Sequence, residues 1–185
     1  SKSIEGTLTV KADIVHPMER LVMDLDTMLD ISQVMMKKKP LPFERRVGRI
    51  WIDLKRTYQA GENLEVSIKY GGQPRVAPRA PWDGGFTWAK TRSGAHWIAT
   101  TCQGQGADLW WPCKDHVSDE PASMNLKIRV PEDLVVASNG TLEEVKAHDD
   151  QTKTYHWKIS NPINIYNVAL NIAPYRVIED NVDCV

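Results

Sequence analysis

Apolar residues recur at every second position along most of this chain, and that pattern constrains the fold more than any other feature. Leu8, Val10, Ala12 and Ile14 alternate with polar residues, as do Leu21, Met23 and Leu25, then Ile50, Ile52 and Leu54, then Leu64, Val66, Ile68 and Tyr70. The alternation returns at Met124, Leu126, Ile128 and Val130, at Tyr155, Trp157 and Ile159, and at Val168, Leu170 and Ile172. Successive side chains of a strand point to opposite faces, so each run reads as a half-buried strand. Turn residues bound the runs: His16-Pro17, Gly61-Glu62-Asn63, Gly71-Gly72 and Asp149-Asp150. Ser138-Asn139-Gly140-Thr141 reads as a hairpin turn, because Asn-Gly accepts the positive φ values a tight hairpin requires. No segment has the spacing of a long amphipathic helix; Leu29 to Lys38 is mixed and fits a strand or a short helix. The pattern predicts an all-β fold, a β-sandwich of mostly antiparallel sheets.

Composition narrows the partners. The 185 residues make one domain the prior expectation, 1–185, large enough to bury a core without disulfides or metal. Lys and Arg number 23 against 24 Asp and Glu, a net charge of −1, so no field of either sign recruits a polyanion and no nucleic-acid partner is expected. No apolar run approaches the roughly 18 residues of a membrane helix, so no membrane partner is expected, and Ser1-Lys2-Ser3 is not a signal peptide. Cys102, Cys113 and Cys184 are odd in number and lack C-x-x-C spacing, which fits cytoplasm and periplasm alike. A Cys102–Cys113 bridge across neighbouring strands is one possibility, a pair of free thiols the other.

Two stretches interrupt the strands, Gly71 to Phe86 and Gly104 to Pro121, and function is expected there because long loops in compact domains are commonly functional. No histidine is followed by Glu and no two lie four apart, so the H-E-x-x-H helix of a zinc hydrolase is absent. Cys102, Cys113, His116 and His96 fit no structural zinc spacing. Gly104-Gln105-Gly106 lacks the third glycine or Lys-Ser/Thr of a phosphate loop, and no serine stands in G-x-S-x-G. Asp115, Asp119 and Glu120 read as a solvated turn before an acid/base pair. The seven Trp include Trp82, Trp88, Trp97, Trp110 and Trp111, which serve either as core or as a binding platform.

The stretch Thr100-Thr101-Cys102-Gln103-Gly104-Gln105-Gly106-Ala107-Asp108-Leu109-Trp110-Trp111-Pro112-Cys113-Lys114-Asp115 is followed by Met124 to Pro131 and by Ser138-Asn139-Gly140. This order and spacing resemble the N-terminal β domain of the gluzincin zinc aminopeptidases, the family of aminopeptidase N and leukotriene hydrolase, in which T-Q-x-Q/E leads to P-C-x-D, a strand closing on V-P, and S-N-G. Asn161-Pro162-Ile163-Asn164-Ile165-Tyr166 looks like that domain's closing strands, and Pro81-Trp82-Asp83-Gly84-Gly85-Phe86-Thr87-Trp88 resembles a loop of bacterial members. Thr101 departs from the pattern, standing where many relatives carry Gln.

The resemblance implies a saddle-like β-sandwich packed in cis on its own catalytic domain, which would follow residue 185 and hold the zinc, so that no catalytic or metal-binding residue is expected in this chain. It implies a zinc-dependent metalloaminopeptidase that removes N-terminal residues from peptides. The matching position for the residue that accepts hydrogen bonds from the peptide's free α-amino group is Gln103, and Gly104 would let backbone approach the substrate. The chemistry is sound, because an ammonium has three donors and a neutral amide oxygen accepts without burying another charge. A second reading is a non-catalytic carbohydrate- or protein-binding sandwich with Trp82, Trp88, Trp110 and Trp111 as its platform.

Overall fold

A computed structural model describes residues 2–178; Cys184 lies outside the described residues. The first seven strands are β1 (Ile4–Asp13), β2 (Met18–Asp24), β3 (Leu29–Met36), β4 (Lys39–Pro40), β5 (Phe43–Arg46), β6 (Arg49–Tyr58) and β7 (Asn63–Gly72). They form two sheets, ordered β1-β7-β3-β4 and β2-β6-β5. The later seven are β8 (Gly85–Lys90), β9 (His96–Thr101), β10 (Met124–Pro131), β11 (Val135–Ala137), β12 (Thr141–His148), β13 (Thr152–Ile159) and β14 (Asn171–Ala173). These make sheets ordered β11-β14-β9-β8 and β10-β13-β12, with one 3-10 turn at Ile165–Asn167. Every ladder between named strands is antiparallel, as the alternation predicts.

The core follows the period. Ile50, Ile52 and Leu54 of β6 and Leu64, Val66, Ile68 and Tyr70 of β7 are buried in one cluster, while the residues between them reach the surface. Each such aliphatic side chain contributes about 1.5–3 kcal/mol by leaving water. The mixed spacing of Leu29 to Lys38 resolves as strand β3 with a register shift against β7 between Ile31 and Gln33. One extra residue there reverses the parity, so Leu29 and Val34 both face the core although five positions apart.

Two expectations are corrected and one open alternative is decided. Ser138-Asn139-Gly140 is a bend but not a hairpin: β11 pairs with β14 and β12 with β13, so the chain changes sheets there. Val168 and Leu170 are buried in an extended segment after the 3-10 turn, and the strand itself begins only at Asn171. Cys102 and Cys113 are both free, so the bridge is not formed.

Nor is there an indole platform. Trp110 and Trp111 are only 5% and 7% exposed and pack in the core, edge to face, with ring centroids 6.1 Å apart. Trp88 is half-buried and stacked on Phe86, which leaves Trp82, at 75% exposed, by itself. The two irregular stretches do fall between strands, 73–84 between β7 and β8 and 102–123 between β9 and β10.

Candidate functional site

Strand β9 ends at Thr101, and the chain then turns through Gln103-Gly104-Gln105. The turn is closed by Gln105 N–H and Gly106 N–H, which both donate to Cys102 O, at 3.1 and 2.9 Å. Gly104 has φ +69 and Gly106 φ +99, left-handed values that favour glycine. Space also selects glycine at 106, because a Cβ there would run into the Asp115 carboxylate. That carboxylate accepts Ala107 N–H at 2.9 Å, and Asp115 N–H donates to Asp24 Oδ2 at 3.0 Å. The P-C-x-D signature thus clamps the turn from behind and ties it to the end of β2.

Two further backbone links hold the same region. Asp24 and Cys113 exchange both N–H to O bonds, at 2.6 and 3.0 Å, and Asp26 N–H donates to Asp108 O at 2.9 Å. Asp26, buried, accepts Arg75 Nε at 2.8 Å and Met28 N–H at 3.0 Å.

The opposite wall is Tyr166 to Ala169. Asn164 caps the 3-10 turn by accepting Tyr166 N–H at 3.0 Å, and its Nδ2 donates to Val117 O at 2.8 Å. The S-N-G signature holds the next residues: Ser138 Oγ donates to Ala169 O, and Asn139 Oδ1 accepts Ala169 N–H, both at 2.8 Å. Thr100 Oγ1 accepts Leu170 N–H at 2.9 Å. Between the walls lies an open cleft of about 290 Å³ lined by Pro81, Thr100, Gln103, Tyr166, Val168 and Ala169, among others.

Gln103 is exposed at the lip of this cleft, and its Oε1 accepts a hydrogen bond from the Tyr166 hydroxyl. It stands in a turn just beyond β9, not inside a strand. Gly104 beside it is exposed, and nothing lies within 4 Å of where its side chain would begin. The two predicted site residues therefore share one open edge. Tyr166 is the member that residue-by-residue reading missed; its signal was Asn164 two positions earlier, a side chain suited to capping a short turn.

Three titratable groups in the turn and the stretch that follows it are shifted by burial. Burial pushes the Cys102 thiol up to about 11 and the Cys113 thiol further still, so neither is a thiolate at neutral pH. Asp108 is raised to about 6 by burial and then by Asp115, Asp24 and Asp26, with Arg75 opposing. Among the described residues, no group of three or more His, Cys, Asp or Glu side chains is arranged to hold a metal ion. The described residues do not fit a zinc site.

Comparison with known proteins agrees with this fold. Among solved structures, an M1 zinc metallopeptidase from Deinococcus radiodurans superposes with a TM-score of 0.78 at 20% identity, over 93% of this chain and 38% of that one. A mutant of that enzyme bound to a Tyr-Ser-Ala substrate gives a TM-score of 0.78 at 21% identity, with the same coverage. Among curated proteins, transcription initiation factor TFIID subunit 2 of Drosophila melanogaster is 28% identical over 129 residues, which is 66% of this chain and 10% of that protein. The chain thus spans about a tenth of that relative and under two-fifths of the metallopeptidases. The model of the peptidase M1 N-terminal domain matches residues 1–166, and the chain belongs to that family.

Proposed function

We propose that this chain is the N-terminal, substrate-binding domain of a zinc-dependent aminopeptidase, and that Gln103 accepts a hydrogen bond from the free α-amino group of a peptide. The supporting observation is the position of the Gln103 amide, exposed on the lip of an open cleft with its oxygen already serving as an acceptor. Burying an ammonium against a neutral acceptor costs less than leaving its donors unpaired. Gly104 keeps the lip free of side chain where a peptide would arrive. In this reading zinc and the residues that cut the bond belong to a catalytic domain in the same polypeptide, which the 38% share that this chain spans of the M1 zinc metallopeptidase supports. By fixing the amine, the domain sets the register in which a peptide enters, so that only its first bond is presented.

The test is hydrolysis of aminoacyl anilides by the full-length protein. The expected result is activity abolished by a chelator, together with a KM raised roughly tenfold by Gln103→Ala, the cost of about one hydrogen bond to a charged group. Unchanged kinetics in that variant would remove Gln103 from the role. A second reading, a non-catalytic protein-interaction domain, is favoured by the likeness to a transcription factor subunit. The following sequence separates the two: H-E-x-x-H downstream supports the peptidase, and its absence together with no hydrolysis supports the interaction domain.

A further inference from the structure

We infer that Tyr166 is a positioning residue for the peptide amine, acting through Gln103 by fixing which end of its amide faces the cleft; this rests on the proposed role of Gln103. The two ends of a glutamine amide have nearly the same shape and opposite chemistry: the oxygen accepts, the nitrogen donates. Only the oxygen suits an ammonium. A glutamine at the exposed tip of a turn has no intrinsic reason to present one end over the other, and ordering its long side chain costs entropy.

Tyr166 supplies the missing constraint. Its hydroxyl donates to Gln103 Oε1, which holds the carbonyl oxygen on the cleft side and leaves that oxygen's second lone pair for a ligand. The tyrosine is itself fixed, since Asn164 takes its backbone N–H at 3.0 Å and anchors to Val117 O at 2.8 Å. At 40% exposed, the ring is not a core residue whose packing would account for its place. Tyr166 therefore acts as the template against which the amide is set before the peptide arrives.

The experiment is calorimetric binding of L-leucinol and N-acetyl-L-leucinol, neither of which carries a bond that an aminopeptidase cuts, to the full-length protein and to the Tyr166→Phe, Gln103→Ala and doubly substituted forms. Phenylalanine keeps the ring and the 3-10 turn and removes only the hydroxyl. The expected result is a preference for the free amine that falls about three- to tenfold in Tyr166→Phe, the range of one hydrogen bond. It should fall at least as far in Gln103→Ala, and no further in the double variant. A merely structural tyrosine would weaken both probes alike and leave the preference intact, which overturns the inference. So does a double variant in which the two losses multiply, because Tyr166 then acts independently of Gln103. A loss in Gln103→Ala with none in Tyr166→Phe overturns the inference and leaves the reading of Gln103 standing. No preference in the unaltered protein, or one that Gln103→Ala does not change, takes down both.

Discussion

The β6–β7 hairpin and the stretch from Cys102 to Asp115 both contribute to one hydrophobic core, by opposite means. In the hairpin, Ile50, Ile52, Leu54, Leu64, Val66, Ile68 and Tyr70 alternate inward while their neighbours face out, and the ladder satisfies the backbone. In the later stretch Leu109, Trp110, Trp111, Pro112 and Cys113 are buried consecutively, with no period and no named strand. There the backbone is satisfied by particular partners: the Asp115 carboxylate for Ala107 N–H, Asp24 for Cys113, and Asp26 N–H for Asp108 O. Regular structure is the general solution to burying backbone, and a set of dedicated acceptors is the special one. The special solution leaves the chain free to present a turn, and that is where Gln103 sits.

The comparison breaks most sharply at Trp111. If the irregular stretch were a loose loop, Trp111→Ala would cost under about 0.5 kcal/mol, the usual surface value. As a core element it should cost about 3–5 kcal/mol in urea unfolding, at least as much as Ile52→Ala in the hairpin, where about 2–5 is the range. A smaller effect follows from the clamp. Asp115→Ala should lose about 1 kcal/mol globally, which raises amide hydrogen exchange in β6 and β7 about fivefold, and should raise it further than that at Ala107 and Gly106. Equal exchange in both regions would show that the turn does not depend on its acceptor.

The smallest effect depends on pH. Asp108 is raised to about 6 from 3.8, so the folded state holds its proton more tightly than the unfolded chain. Its contribution is therefore most favourable below about pH 4 and is lost as pH rises through about 6. Asp108→Asn should raise the melting temperature at pH 8 and make little difference at pH 3.5. A variant destabilised equally at both values would point to a lost hydrogen bond and not to the charge.

What the sequence discloses follows the same division. Period-two alternation marks β1, β2, β6, β7, β10 and β13 because a ladder needs only alternate inward side chains, a property visible in one segment at a time. The bulge in β3 blurred its signal because one extra residue swaps the faces. At Ser138–Gly140 the residues favour a hairpin turn, but local turn chemistry does not say which strand comes next. Gln103 and Gly104 were located by resemblance to a family motif, and the partner Tyr166 was not, because their meeting spans 63 positions and depends on two walls folded separately.

The bond from Asp115 to Asp24 joins residues 91 positions apart. At synthesis rates of about 5–20 residues per second, the earlier partner leaves the ribosome several seconds before the later one exists. A nascent polypeptide halted before that point has the sequence of the first seven strands but lacks the partner that anchors the Gln103 turn. The geometry of that turn is thus acquired late, as a sign that translation has passed this stage.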